Sequence, residues 1–367
     1  MRISVLGAGN GGQATAAWLA RAGHAVRLFD RFPDAITGLR AAGRIRATGA
    51  FEAHVRPEVI TDDMAEAAEG AELIVVTVPG FAQEYIATTL APFLRGGETV
   101  LLHPGGLGGA LEVRHTWDLL DVPANVTLAE TDTLLFACRL RGVGEVDVKA
   151  VKRHLLLATL PGDRVDAVVA LVRGLFPPVV PAANVLETSL ANLNPVIHPV
   201  ITLLNAGPIE RNDTSFDFYG SGVTAATARL LETVDAERLA VAAAAGVTGI
   251  ALLEWASIAY GVAAPDLLTL YPLLARDVYQ GIGRPANLEA RYITEDVPLG
   301  MVPLTVIARM VGVPTPRIDA VIEVLSTMNG ADYRSSGRTA ERMGIAGFGR
   351  TDLLGFVETG KARTPDT

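Results

Sequence analysis

Along the first 150 residues, apolar and polar positions alternate on two length scales. Short apolar runs at 3–6, 25–29, 73–78 and 99–102, with a further candidate at 126–128, have the length of buried strands. The segments 11–22 and 81–94 between them space their apolar residues as covering helices do. This alternation predicts right-handed crossovers and a parallel sheet. From 148 to 180 comes another strand, a helix and a Pro-rich exit, Phe176-Pro177-Pro178-Val179-Val180-Pro181, which reads as the end of a domain. Beyond it, long apolar-periodic segments at about 184–205, 221–261, 264–280 and 301–312 contain few strand-like alternations, so the second half is expected to be helical. No repeat of about 20–50 residues suggests a solenoid. The expected organisation is α/β: a doubly wound sheet over 1–183, an all-α domain over 184–360 and a flexible tail at 361–367.

Composition narrows the partners. The apolar, charge-free stretch 239–253 is shorter than the ~20 residues a spanning helix needs and reads as a buried helix. Met1 and Arg2 lead directly into a strand pattern with no basic-then-apolar leader, so the expected compartment is the cytoplasm. The single cysteine, Cys138, reads as a buried thiol, and no cluster of His, Cys, Asp and Glu has metal-ligand spacing. With 31 basic and 40 acidic side chains the net charge is -9, which disfavours nucleic acid and anionic membranes and points to small-molecule substrates.

Gly7-Ala8-Gly9-Asn10-Gly11-Gly12 follows the first strand as G-x-G-x-x-G. The first glycine permits the turn, the second lets backbone approach a pyrophosphate, and the third lets helix pack on strand, with the phosphates at the helix N-terminus. Asp30, 18 residues past Gly12, ends the second strand where a carboxylate accepts ribose hydroxyls. This is the dinucleotide-binding pattern of a Rossmann sheet, and Asp30 favours NAD. Arg31 beside it keeps NADP open, because a guanidinium there accommodates a 2′-phosphate. Val78-Pro79-Gly80 and His103-Pro104-Gly105-Gly106 each follow a strand at its carboxyl end, where ligands bind in open sheets. The candidate cofactor contacts are Gly7, Gly9, Asn10, Gly11, Gly12, Asp30, Arg31, Pro79, Pro104 and Gly105. His103 reads first as an ordinary loop histidine.

Hydride transfer needs a partner that exchanges a proton, and histidine titrates in the right range. Of six histidines, His24, His54, His115 and His154 fall in segments read as surface, leaving His103 and His198. His198 lies just past the domain boundary in Asn192-Leu193-Asn194-Pro195-Val196-Ile197-His198-Pro199. On composition alone a structural role and a catalytic one both stay open.

The stretch Thr188-Ser189-Leu190 through Asn192, Asn194, His198 and Pro199 resembles the start of the helical domain of the octopine/nopaline (opine) dehydrogenase family. Asn287-Leu288, Arg291-Tyr292, Glu295-Asp296-Val297, Gly300 and Val302-Pro303-Leu304 resemble that family's second active-site segment. Val313-Pro314-Thr315-Pro316, Ile318-Asp319-Ala320 and Gly337-Arg338-Thr339 continue the match in order. The resemblance implies NAD(P)H-dependent reductive condensation of a pyruvate-like 2-oxo acid with the amino group of an L-amino acid. It also implies His198 and Asp296 as the catalytic pair, with Glu295 the rival of Asp296, and Arg291 as the clamp on the oxo acid carboxylate. Tyr219 and Thr224, in Phe216-Asp217-Phe218-Tyr219-Gly220-Ser221-Gly222-Val223-Thr224, are candidate pocket residues, although Ser221 stands where the family loop is expected to be acidic. Two alternatives share the nucleotide site: a ketopantoate-type reductase forming a 2-hydroxy acid, and a dinucleotide-binding sensor without turnover. A homodimer is compatible with either architecture.

Overall fold

The computed structural model describes residues 1–281 and 283–361; apart from Lys361, the tail expected at 361–367 lies outside the described residues. The chain divides into two compact units, one of Met1–Gly105 with Gly109–Ala182, the other of Gly106–Gly108 with the chain from Ala183 onward.

The first unit runs β1 (Arg2–Leu6), α1 (Asn10–Arg21), β2 (Ala25–Phe29), α2 (Pro33–Ala42), β3 (Ile45–Gly49), β4 (Ala53–Val55), β5 (Val59–Thr61), α3 (Met64–Ala68), β6 (Leu73–Val76), α4 (Gln83–Leu90), β7 (Thr99–Leu102), α5 (Gly109–Leu119), β8 (Thr127–Thr131), β9 (Phe136–Gly142), β10 (Glu145–Val151), β11 (Leu155–Leu160), α6 (Val165–Val172) and β12 (Val179–Pro181). Eight strands form one sheet in the order β12-β11-β8-β7-β6-β1-β2-β5. β1 lies between β2 and β6, parallel to both, with Ile3 opposite Val26 and Leu73. Every residue of β6, β7 and β11 is buried, the continuous apolar pattern of strands covered on both faces. Strand order reverses at β1, and the glycine turn leaves the carboxyl end of that strand, the crevice where open α/β sheets take ligands.

Several expectations change. The sheet is not wholly parallel, because β11 runs antiparallel to β8. The Pro-rich exit forms an edge strand, β12, parallel to β11, where proline's missing N–H costs no ladder bond. A second sheet, β4-β3-β10-β9, also appears. Its strands alternate: Ile45, Ala47, Val146 and Val148 are buried, while Arg46 and Glu145 face outward. Trp18 of α1 meets Phe51 and Phe136 at ring-centroid distances of 5.1 and 5.7 Å, so the apolar face of this sheet covers the outside of α1. The helix expected over 81–94 is shorter too, because Pro92 falls in a 3₁₀ turn, Ala91–Phe93, that ends α4.

Among the described residues the second unit has helices and no strand: α7 (Val185–Ala191), α8 (Asn194–Leu204), α9 (Ala206–Glu210), α10 (Ala225–Ala245), α11 (Leu252–Tyr260), α12 (Leu267–Asp277), α13 (Arg291–Thr294), α14 (Val302–Val311), α15 (Pro316–Asn329), α16 (Tyr333–Ser336) and α17 (Arg350–Thr359). The stretch 239–253 is not one buried helix. Gly246, at φ 74°, closes α10 in the left-handed conformation, and α11 starts afresh at Leu252. A π-turn, Val297–Met301, precedes α14. Among the described residues no helix is long and apolar enough to cross a membrane.

Candidate active site

In the first unit the glycine turn is defined by what each glycine excludes. Gly7 has φ +106°, and a Cβ on Gly12 would collide with the Gly7 carbonyl, so helix and strand meet only because both are glycine. Around Gly9, the residue preceding α1, nothing lies within 4 Å of a Cβ, and no side chain caps the helix. The turn thus presents open space directly beside uncapped N–H groups, the cradle a pyrophosphate requires. Thr77, which the sequence reading did not single out, donates from Oγ1 to the carbonyl oxygens of Leu6 and Gly7 at 3.1 and 3.0 Å and fixes the turn from below.

Asp30 accepts a 2.7 Å bond from the Ala8 N–H at Oδ2 and a 3.1 Å bond from Phe32 at Oδ1. It therefore ties the glycine turn to the end of β2, and each oxygen keeps lone pairs for a further donor. The Arg31 guanidinium lies over the rings of Phe32 and Tyr85, 4.7 and 4.9 Å from their centroids. Asn10 and Gly11 turn toward the protein. Asn10 Oδ1 accepts from the Leu140 N–H at 2.8 Å, and a Gly11 Cβ would press on Leu134 at 3.0 Å. Lys152, also missed, holds that wall in place: its Nζ donates to Thr133 Oγ1 at 2.6 Å and to the Leu134 carbonyl at 2.8 Å. The Pro79 carbonyl accepts from Ala82 in a 3₁₀ turn at 2.9 Å, the Pro104 carbonyl accepts from Gln83 at 3.0 Å, and a Cβ on Gly105 would collide with Glu130.

His103 is not an ordinary loop histidine. It is fully buried, stacked on Phe176 at 5.2 Å. The Thr131 hydroxyl donates to the Thr133 carbonyl, so its oxygen accepts from His103 Nδ1–H at 2.8 Å, while Nε2 accepts from the Leu135 N–H at 3.2 Å. Both ring nitrogens are satisfied by the neutral tautomer. Burial, assisted by the Lys152 charge, lowers its pKa to about 3. Cys138 is buried as expected, and desolvation pushes its thiol up to about 11.

In the second unit, three separated segments converge on His198. α8 carries the imidazole; Pro195 starts that helix and Pro199 sits inside it. The 213–223 loop supplies Phe218 and Tyr219, and the segment from α13 into the π-turn supplies Tyr292 and Asp296. Asp296 Oδ2 lies 2.7 Å from His198 Nδ1, and Tyr219 Oη lies 2.9 Å from Nε2. Tyr292 stacks on the imidazole face at 4.0 Å and 15°. Gly300 explains how the π-turn approaches α8 so closely, since a Cβ there would overlap Pro195. The π-turn's Met301 N–H bonds to the Asp296 carbonyl at 2.9 Å, anchoring the residue whose carboxylate faces the histidine.

Other candidates fall at the margin. Glu295 pairs with Arg291 at 3.4 Å, while Asp296 is the carboxylate bonded to His198, and the Arg291 side chain is 59% exposed, so most of its donor fork is open. Thr224 Oγ1 caps α10 by accepting from the Thr227 N–H at 3.3 Å. Ser221 accepts from the Asp217 N–H at 3.1 Å and closes the loop that carries Tyr219. Among the described residues no group of three or more His, Cys, Asp and Glu is placed to hold a metal ion.

Residues 3–151 match the ketopantoate reductase PanE/ApbA family model, and residues 181–329 match the model for the alpha-helical domain of NAD/NADP octopine/nopaline dehydrogenase. The opine dehydrogenase of Arthrobacter sp. (strain 1C) is 38% identical over 359 residues, 97% of this chain and 98% of that one. An octopine dehydrogenase structure with NADH and L-arginine superposes with a TM-score of 0.80 at 24% identity over 100% of both chains. Yersinopine dehydrogenase with NADP+ bound does so at 0.72 and 16% identity, over 94% of this chain and 97% of the other. With a Rossmann unit followed by an all-α unit and this likeness along nearly its whole length, the chain belongs to the opine dehydrogenase family of NAD(P)-dependent oxidoreductases, which condense a keto acid reductively with an amino acid.

Proposed function

We propose that the enzyme condenses a pyruvate-like 2-oxo acid with the amino group of an L-amino acid, residues 1–183 holding the dinucleotide and residues 184–360 carrying the substrate chemistry. When bound, the nicotinamide supplies the hydride. The glycine turn, the α1 N-terminus and Asp30 bind and orient the dinucleotide, with Asp30 favouring NAD and Arg31 admitting NADP. The observation that carries the reading is the 2.7 Å hydrogen bond between His198 and Asp296. In it Asp296 holds Nδ1 as the donor and stabilises the imidazolium, which leaves Nε2 to exchange the proton consumed in forming the secondary amine. Arg291, with its fork open to solvent, is the clamp for the oxo acid carboxylate, fixing its carbonyl carbon for attack. Tyr219 and Thr224 border the pocket in this scheme. Condensation is preferred to simple reduction to a 2-hydroxy acid because the match over 181–329 is to the octopine/nopaline helical domain. The cytoplasmic compartment and a homodimer belong to the same proposal. The test crosses a panel of 2-oxo acids with L-amino acids while following NADH and NADPH oxidation, and then weighs the product. A product mass equal to oxo acid plus amino acid minus one oxygen is expected. Oxidation that proceeds with oxo acid alone and ignores the amine overturns the proposal.

A further inference from the structure

An imidazole nitrogen exchanges its proton along one direction, in the plane of the ring. In His198 both directions are taken, Nδ1 by Asp296 Oδ2 at 2.7 Å and Nε2 by Tyr219 Oη at 2.9 Å. The two ring faces offer no proton position, and Tyr292 lies flat on one of them at 4.0 Å. Tyr219 is itself only 5% exposed, so its hydroxyl is not a surface group that happens to point inward. Its ring is fixed by Phe218, edge-on at 4.9 Å, and by Tyr279 at 4.6 Å, and its backbone N–H donates to Asp217 Oδ1 at 3.2 Å. Tyr292 Oη also lies near the hydroxyl, at 3.5 Å.

We propose that the Tyr219 hydroxyl, rather than the imidazole, is the group that exchanges a proton with the substrate, with His198 acting one bond behind it and Asp296 one behind that. The inference rests on the His198–Asp296 reading above. In the dehydration that forms the imine, the C–O bond of the carbinolamine breaks and its electron pair leaves with oxygen, while the nitrogen lone pair closes the C=N bond. The departing oxygen takes the proton of Tyr219 Oη, and Oη takes the proton of His198 Nε2–H as it lets its own go. One O–H bond forms on the tyrosine as another breaks, water leaves, and a neutral imidazole remains with Nδ1–H on Asp296. Desolvation by its buried surroundings, reinforced by Tyr292, holds the tyrosine pKa well above its ordinary value. Tyr219 therefore rests as the phenol and relays a proton without persisting as a phenolate.

The test is Tyr219→Phe in the full chain, which keeps the packed ring and removes only Oη. His198→Ala is measured beside it, in single-turnover NADH oxidation with the oxo acid and amino acid pair that turns over fastest in the screen. Loss of a positioned proton donor slows the step by about 10²-fold or more for either variant, with NADH affinity and substrate KM within a few-fold of wild type. The wild-type rate should also curve downward in mixed H2O/D2O, because two protons move together. If Tyr219→Phe turns over at the wild-type rate while His198→Ala is slow, substrate meets Nε2 directly and this inference alone falls. A raised KM with an unchanged rate makes Tyr219 a binding residue and has the same consequence. Wild-type rates in both variants overturn the underlying reading of the site. If Tyr219→Phe does not fold, a linear dependence on deuterium fraction in the wild-type enzyme is enough to reject the relay.

Discussion

Two histidines that look alike in the chain differ in what their nitrogens meet. His103 donates to a threonine oxygen and accepts from a backbone N–H, an arrangement that only the neutral ring satisfies. Its pKa is depressed from 6.5 to about 3, so the unfolded chain binds the proton first, and the stability this site contributes above pH 6.5 is lost as pH falls toward 3. Each pH unit in that window should cost up to about 1.4 kcal/mol from this one group. Urea unfolding of wild type and His103→Gln at pH 7, 5 and 4 should show the wild-type advantage shrinking as pH falls. A constant difference would mean that the ring takes up its proton as readily in the folded chain as in the unfolded one. His198 has a carboxylate on one nitrogen and a phenol on the other. Neither environment was legible from composition, since Asp296 and Tyr219 are 98 and 21 residues away in sequence. The pairing with Asp296 was accessible only through resemblance, and Tyr219 as its opposite partner through no sequence signal.

At the scale of the element, the turn from β1 into α1 assigns its glycines separate tasks. Gly12 keeps two backbones from colliding, whereas Gly9 borders empty space. Gly12→Ala should therefore destabilise the fold by about 1–3 kcal/mol or more, the usual cost of overpacking. Gly9→Ala should leave the melting temperature nearly unchanged but weaken NADH binding by about tenfold or more, because its methyl occupies space the pyrophosphate needs. Thermal melts and NADH fluorescence titrations of the two variants separate these effects, and equal NADH affinity in Gly9→Ala and wild type would remove the turn from the cofactor site. The parallel core, β1, β2, β6 and β7, was readable because its strands are short, mostly apolar runs alternating with helical patterns. The second sheet was not, because β4 has three residues, β3 ends in Thr48-Gly49, and β10 carries charges on alternate positions. In 239–253 a charge-free, mostly apolar stretch hid the end of α10 at Gly246, where backbone conformation outweighed hydrophobicity.

For the whole molecule, the net charge of -9 repels anions in general, so under the proposed function anionic substrates gather only at single exposed arginines such as Arg291. A cofactor that binds the folded first unit and not the unfolded chain should raise its stability by about 2.7 kcal/mol at a hundred times its Kd. Scanning calorimetry with NADH and with NADPH measures that gain, and the larger shift identifies the preferred dinucleotide, expected to be NADH. The division at Ala182 suggests that the units could be traded between relatives like cassettes, but the chain passes into the second unit once before that, for the three residues Gly106–Gly108. There the Leu107 carbonyl accepts from the buried Arg338 at 2.8 Å and the Gly108 N–H donates to Ser189 at 3.1 Å. A gene fusion joined only at 182/183 would give each helical unit a foreign tripeptide against its own arginine. Successful recombination among such enzymes therefore requires three crossovers, at 105/106, 108/109 and 182/183, so that 106–108 is inherited together with the C-terminal half.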